Sequence, residues 1–88
     1  MAIYTTQSLE FANGKAEFDV SNALEENGAT TLHFCFAQLS NTNASTFVAV
    51  QKVGVYNSDK KITVIMGNAA TGAWYTGTAS VGLLIICR

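Results

Sequence analysis

The sequence predicts an all-β fold: a small antiparallel β-sandwich, or a barrel, of six to eight short strands. Three observations predict it. Apolar and polar residues alternate with a period of two through most of the 88 residues. Turn-forming clusters interrupt that alternation every ~8–12 residues, the spacing of short strands in sandwiches and barrels. No segment carries the period of an amphipathic helix, and none alternates strand with helix as a parallel sheet requires. Without an internal repeat or linker, residues 1–88 read as one β domain.

The first elements are the clearest. Ser8-Leu9-Glu10-Phe11 and Ala16-Glu17-Phe18-Asp19-Val20 flank Asn13-Gly14, the favoured pair for a two-residue turn with positive φ at both positions. Centring the turn there sets Phe11 opposite Ala16, Glu10 opposite Glu17 and Leu9 opposite Phe18. The apolar residues then share one face. Glu10, Glu17 and Asp19 share the other, as an acidic outward face. In Ser21–Gly28, Asn22 and Glu25 have capping-box spacing and Gly28 is a natural stop. The spacing allows one helical turn at most. From Thr30 to Leu39, Leu32, Phe34 and Phe36 fall on one face and His33, Cys35, Ala37 and Leu39 on the other. Both faces are largely apolar, so a central strand covered on both sides is expected.

The polar run 40–45 reads as a turn. Phe47 to Tyr56 is long and β-branched, but Val48 and Val50 are out of phase with Val53 and Val55. A bulge near Gln51-Lys52 would restore one apolar face; a strand that switches sheets is the alternative. A turn over 56–60 leads to a strand in which Ile62, Val64 and Met66 oppose Thr63 and Ile65. The small-residue loop 67–72 follows. Trp74-Tyr75-Thr76-Gly77 forms a short strand or the far wall of that loop. Thr78 to Cys87 closes the chain with Val81, Leu83, Ile85 and Cys87 against Leu84 and Ile86.

Composition narrows the function. Hydrophobic residues make up 49% of the chain, charged residues 12%, and there is no proline. This excludes disorder, a coiled coil and a collagen-like rod. A folded chain of this mass exposes roughly 5,000 Å², which its eleven charged side chains cover too thinly for a free monomer. The net charge is −1 and the five basic residues are scattered, so nucleic-acid binding is not expected. The N-terminus has no signal-peptide pattern. The longest apolar run, Val81 to Cys87, is far short of the ~20 residues that span a bilayer. Synthesis in a cytosol and no membrane association are expected. Cys35 and Cys87 read as two buried free thiols, or else as one bridge between strands.

Few residues carry chemistry. His33 and Cys35 lie two apart, at ~7 Å in a strand, too far for a nucleophile–base pair; His33 reads as a partly buried strand residue. No metal-ligand spacing, phosphate loop or nucleophile elbow is present, so neither an enzyme nor a cofactor is expected. Glu10, Glu17 and Asp19 suit a solvated face that blunts a sheet edge, or contact with a cation or basic partner. Trp74 and Tyr75, flanked by small polar residues, suit a partner anchor, core filling by Trp74, or sugar stacking. Asn57, Asn68 and Asp59 are candidate polar partners for a sugar. Asn43-Ala44-Ser45 matches a glycosylation sequon, a coincidence in a chain without a signal peptide.

The strand Ile62-Thr63-Val64-Ile65-Met66, the Gly/Ala/Thr loop with Trp74, and the closing strand Ser80-Val81-Gly82-Leu83-Leu84-Ile85 resemble small β-structured virion proteins of tailed phages. These are head decoration or cement proteins and fibre-tip domains. The resemblance covers about a third of the chain and rests on pattern and composition, so no functional residue carries over. It implies a non-enzymatic structural protein, with a trimer as one implied state, bound to a capsid or at a fibre end.

The reading that follows is a homo-oligomeric structural protein of a larger particle, located in a virion. A small apolar domain without staples gains its remaining stability from neighbours. The alternative is a carbohydrate- or receptor-binding module using Trp74 and Tyr75.

Overall fold

The structure is a computed structural model and describes residues 1–39, 46–52 and 60–88. Six strands and one short helix run in the order β1 (Ala2–Phe11), β2 (Lys15–Asp19), α1 (Ser21–Glu26), β3 (Leu32–Leu39), β4 (Thr46–Lys52), β5 (Lys61–Asn68) and β6 (Gly77–Cys87). They form two three-stranded antiparallel sheets, β1-β6-β3 and β2-β5-β4. The sheets pack together around one interior, a small all-β fold as the alternation predicts. The domain measures 41 × 22 × 17 Å.

The period-two pattern builds the core directly. The middle strands contribute Ile62, Val64 and Met66 from β5 and Val81, Leu83, Ile85 and Cys87 from β6. Leu9 and Phe11 of β1, Phe18 of β2, Val20 beyond it, Leu24 of α1 and Leu32 of β3 add the other large side chains of the cluster. No charged or polar side chain is buried among the described residues, so the interior carries no polar desolvation cost.

The Asn13-Gly14 turn forms as expected. Ala12 N donates to Lys15 O at 3.0 Å and Lys15 N to Ala12 O at 3.2 Å, with φ at +50° and +82°. The register beyond it differs from the expectation. Past Ala12–Lys15 the strands part: β1 pairs with β6 and β2 with β5. Leu9, Phe11, Ala16 and Phe18 still point inward, but from opposite layers. A sandwich corner keeps every inward face while breaking the hairpin ladder.

Two other elements differ. Helix α1 has six residues rather than a single turn, and no side chain caps its N-terminus; the Asn22–Glu25 capping box does not form. Asp19 Oδ1 instead accepts from Ser21 N (2.9 Å) and Ser21 Oγ (2.6 Å). At the other end Gly28 stops the helix at φ +68°, with Gly28 N bonded to Glu25 O and Ala29 N to Leu24 O, a Schellman closure. Strand β3 is an edge strand, not a central one. A register shift between Leu32 and Phe34 makes His33 the extra residue of a bulge. Leu32 therefore faces inward with Cys35, Ala37 and Leu39, and leaves the face that Phe34 and Phe36 share. In β4 the register shifts between Val50 and Lys52, which places the expected bulge at Gln51. Val53 and Val55, the turn over 40–45 and the Asn43 sequon lie outside the described residues.

The Ser21 contacts hold the Asp19 carboxyl below the usual carboxylate range, with Lys61 adding a smaller attraction. A carboxyl whose folded pKa is lowered stabilises the fold above its unfolded pKa of about 3.9 and loses that contribution as pH falls through the folded value. We expect Asp19→Asn to lower urea-unfolding stability at pH 7 and that deficit to shrink at pH 2. An equal deficit at both pH values would exclude an ionic origin.

Candidate functional site

Two aromatic surfaces stand out, near opposite ends of β6. The first is the loop between β5 and β6. Asn68 organises it: its Oδ1 accepts from Ala70 N (2.9 Å) and Thr71 N (3.3 Å), and its carbonyl accepts from Gly72 N at 2.8 Å. This turn returns the chain so that Trp74 bridges back to Gly67. Trp74-Tyr75 is therefore the loop's far wall, with β6 starting at Gly77. The wall then clasps the first turn. Gly14 N donates to Tyr75 O at 2.8 Å, and Asn13 N donates to Thr76 Oγ1 at 3.2 Å.

Trp74 and Tyr75 have different tasks. Tyr75 is half-buried and meets the Phe11 ring edge to face at 6.1 Å, while its hydroxyl donates to Thr78 O at 3.1 Å. Those contacts make it a structural side chain. Trp74 is 59% exposed, so it does not fill the core. It lies on Gly14, where a Cβ would come within 2.6 Å of Trp74 Cε3. Asn68 is occupied in the loop, and Asn57 and Asp59 lie outside the described residues.

The second surface is the outward face of the β1-β6-β3 sheet. Register brings Tyr4, Leu84 and Phe36 into one row and Ala2, Ile86 and Phe34 into the next. Phe34 is 64% exposed, Phe36 60%, Tyr4 54% and Leu84 39%. Gly82 leaves room for the Tyr4 ring to lie along the sheet, because a Cβ there would collide with the Tyr4 hydroxyl. Sequence reasoning missed these four residues as a site. The signal was present in the two-faced apolar pattern of β3 and β6, and it was assigned to burial.

The acidic face does not assemble. Glu10 points outward from β1 opposite Thr78. Glu17 and Asp19 point outward from β2, opposite Thr63 and Lys61. The corner that separates β1 from β2 puts them on different sheets. His33 is exposed on its bulge, not partly buried.

Other chemistry is sparse. Among the described residues no three His, Cys, Asp or Glu side chains could hold a metal ion, and no helix is long and apolar enough to cross a membrane. A groove of about 340 Å³ between β1 and α1 is lined by Tyr4, Thr5, Gln7, Asp19, Asn22 and Glu26 among others; it holds hydroxyls, amides and carboxylates. Cys35 and Cys87 are both free thiols. They pair with Ile85 and Leu32, not with each other, and burial pushes the Cys35 thiol up to about 11. A thiol so far from ionisation is a poor nucleophile.

Comparison with known proteins finds no matching family model, no matching curated protein and no matching solved structure.

We expect Gly14→Ala to destabilise the fold by about 1–3 kcal/mol, from a side chain at positive φ that also displaces Trp74. Urea unfolding with Trp74 fluorescence checks it; an unchanged midpoint would contradict the clasp. We also expect a disulfide reagent at pH 7.5 to label half-buried Cys35 roughly 100-fold more slowly than a free thiol, and buried Cys87 only at the rate of unfolding. Rapid labelling of folded protein would show an accessible, ionised thiol.

Proposed function

We propose that this chain is a non-enzymatic structural protein that assembles with copies of itself and with other chains into a larger particle, of the head-decoration or cement kind carried by tailed-phage virions. The observation that carries the reading is the uncovered apolar face of the β1-β6-β3 sheet. Three aromatic rings, each more than half exposed, cost free energy in water that contact with another chain recovers. The sparse charge of the surface supports the same reading, since little on it resists association. The tip formed by Trp74 is a second contact, suited to anchoring the subunit on the particle because large aromatic rings dominate interface energies. The pattern resemblance of residues 62–85 to virion proteins supplies the kind of particle.

A second reading has its own observation. Trp74 rests on Gly14 and is largely exposed, so it presents a ring for stacking, as a sugar or receptor-binding module would require. Its neighbours on the tip, Asn13 and Thr76, are uncommitted to any core.

Sedimentation of native source material tests the first reading. We expect the chain in the fast-sedimenting particle fractions, and recovery solely among small soluble proteins would refute it. A glycan array with Trp74→Ala as control tests the second. Sugar binding that disappears in the folded variant would favour the receptor-binding module over the particle protein.

A further inference from the structure

We infer that the outward face of the β1-β6-β3 sheet is a two-fold interface with a second copy of this chain, centred on Leu84 and ringed by Tyr4, Phe34, Phe36 and Ile86. This deepens the assembly reading and rests on it.

Area is the first argument. Aromatic side chains offer ~150–250 Å² each. Three that are 54–64% exposed, together with Leu84 and Ile86, make an apolar patch of roughly 450 Å², within the ~300–600 Å² of largest patches that are often functional. Two such patches and their polar rims, Thr6, Gln38 and Ser80 on each side, approach the ~1,200–1,600 Å² that a specific dimer buries.

Charge is the second argument. Exposed Arg88 sits just past the end of β6, and within the strands the outward positions of this sheet carry one charged residue among the described residues, Glu10. It lies opposite Thr78, roughly 20 Å along β6 from Leu84 at ~3.3 Å per residue. A two-fold axis places like against like, which a charged patch resists and an uncharged one permits. The outer face of the other sheet is a poorer match: Phe47 is 44% exposed there, but it stands alone among large exposed hydrophobics of the described residues on that face, and Lys15, Glu17, Asp19 and Lys61 point out beside it. The largest cluster of exposed apolar side chains among the described residues is this patch, and the same patch on another copy matches it in apolar extent and low charge.

Shape is the third argument. Tyr4 lies over Gly82 instead of standing off the sheet, which keeps the face level. Level sheet faces pack on each other ~10 Å apart with side chains interdigitated. The dimer is then four sheets deep at its centre, with both Trp74 tips outside the contact.

The test is mass by light scattering during size-exclusion chromatography, from ~1 to ~200 μM. Wild type should run as a dimer, and Trp74→Ala should do the same. Phe36→Asp should raise the dissociation constant at least ~100-fold, since it buries an unpaired charge in the interface. Its circular dichroism should stay that of wild type because Phe36 is exposed in the single chain. Phe34→Ser with Phe36→Ser is the milder variant if Phe36→Asp fails to fold. A wild-type monomer at every concentration overturns the inference, and so does a trimer. An oligomer untouched by the Phe36 variants overturns this face while leaving self-assembly standing. Particle association of the source protein is read separately by sedimentation, so the two failures remain distinguishable.

Discussion

Two three-stranded sheets share one interior, and each has only one face to give to it. That constraint governs the molecule. The middle strands β5 and β6 seal the interior with side chains that are wholly buried, Ile62, Val64, Val81, Leu83 and Ile85. The edge strands, the corner at Asn13-Gly14 and helix α1 close its margins with Phe11, Phe18, Val20 and Leu24. Once those positions are spent, no further layer among the described residues covers the outward face of either sheet. On the β2-β5-β4 sheet, Lys15, Glu17, Asp19 and Lys61 suit most of that face to water, with Phe47 exposed at its β4 edge. On the β1-β6-β3 sheet, Tyr4, Phe34, Phe36 and Leu84 do not.

The same constraint explains how much of the fold was legible. Alternation identifies the inward residues of β2, β5 and β6 because burial of one face leaves a period-two signature. Asn13-Gly14 is legible because few residue pairs adopt positive φ twice in succession. The phase slip after Val50 is legible as a break in the pattern that either a bulge or a change of sheet would explain, and the register shift between Val50 and Lys52 places a bulge at Gln51. Each of these is a local rule.

What was not legible depends on strand order. A strand that is apolar on both faces, such as β3, is either central or an edge strand with one face uncovered, and its residues look the same in both cases. The bulge at His33 compounds this by turning Leu32 inward while Phe34 and Phe36 turn out. The acidic face failed for a related reason. A turn fixes the first pair of a hairpin, but whether the ladder continues depends on partners far along the chain. Here β6 takes β1 and β5 takes β2, and the carboxylates part. The exposure of Trp74 follows from Gly14, a contact sixty residues apart in sequence that no local pattern encodes.

The account thus turns on whether a neighbouring chain covers the outward face of the β1-β6-β3 sheet. Radical footprinting over a concentration series measures this most directly, with Trp74 as the internal reference. The account predicts that oxidation of Tyr4, Phe34 and Phe36 falls as concentration rises while that of Trp74 stays constant. Protection that never develops at those three rings, or that develops at Trp74 instead, would contradict it.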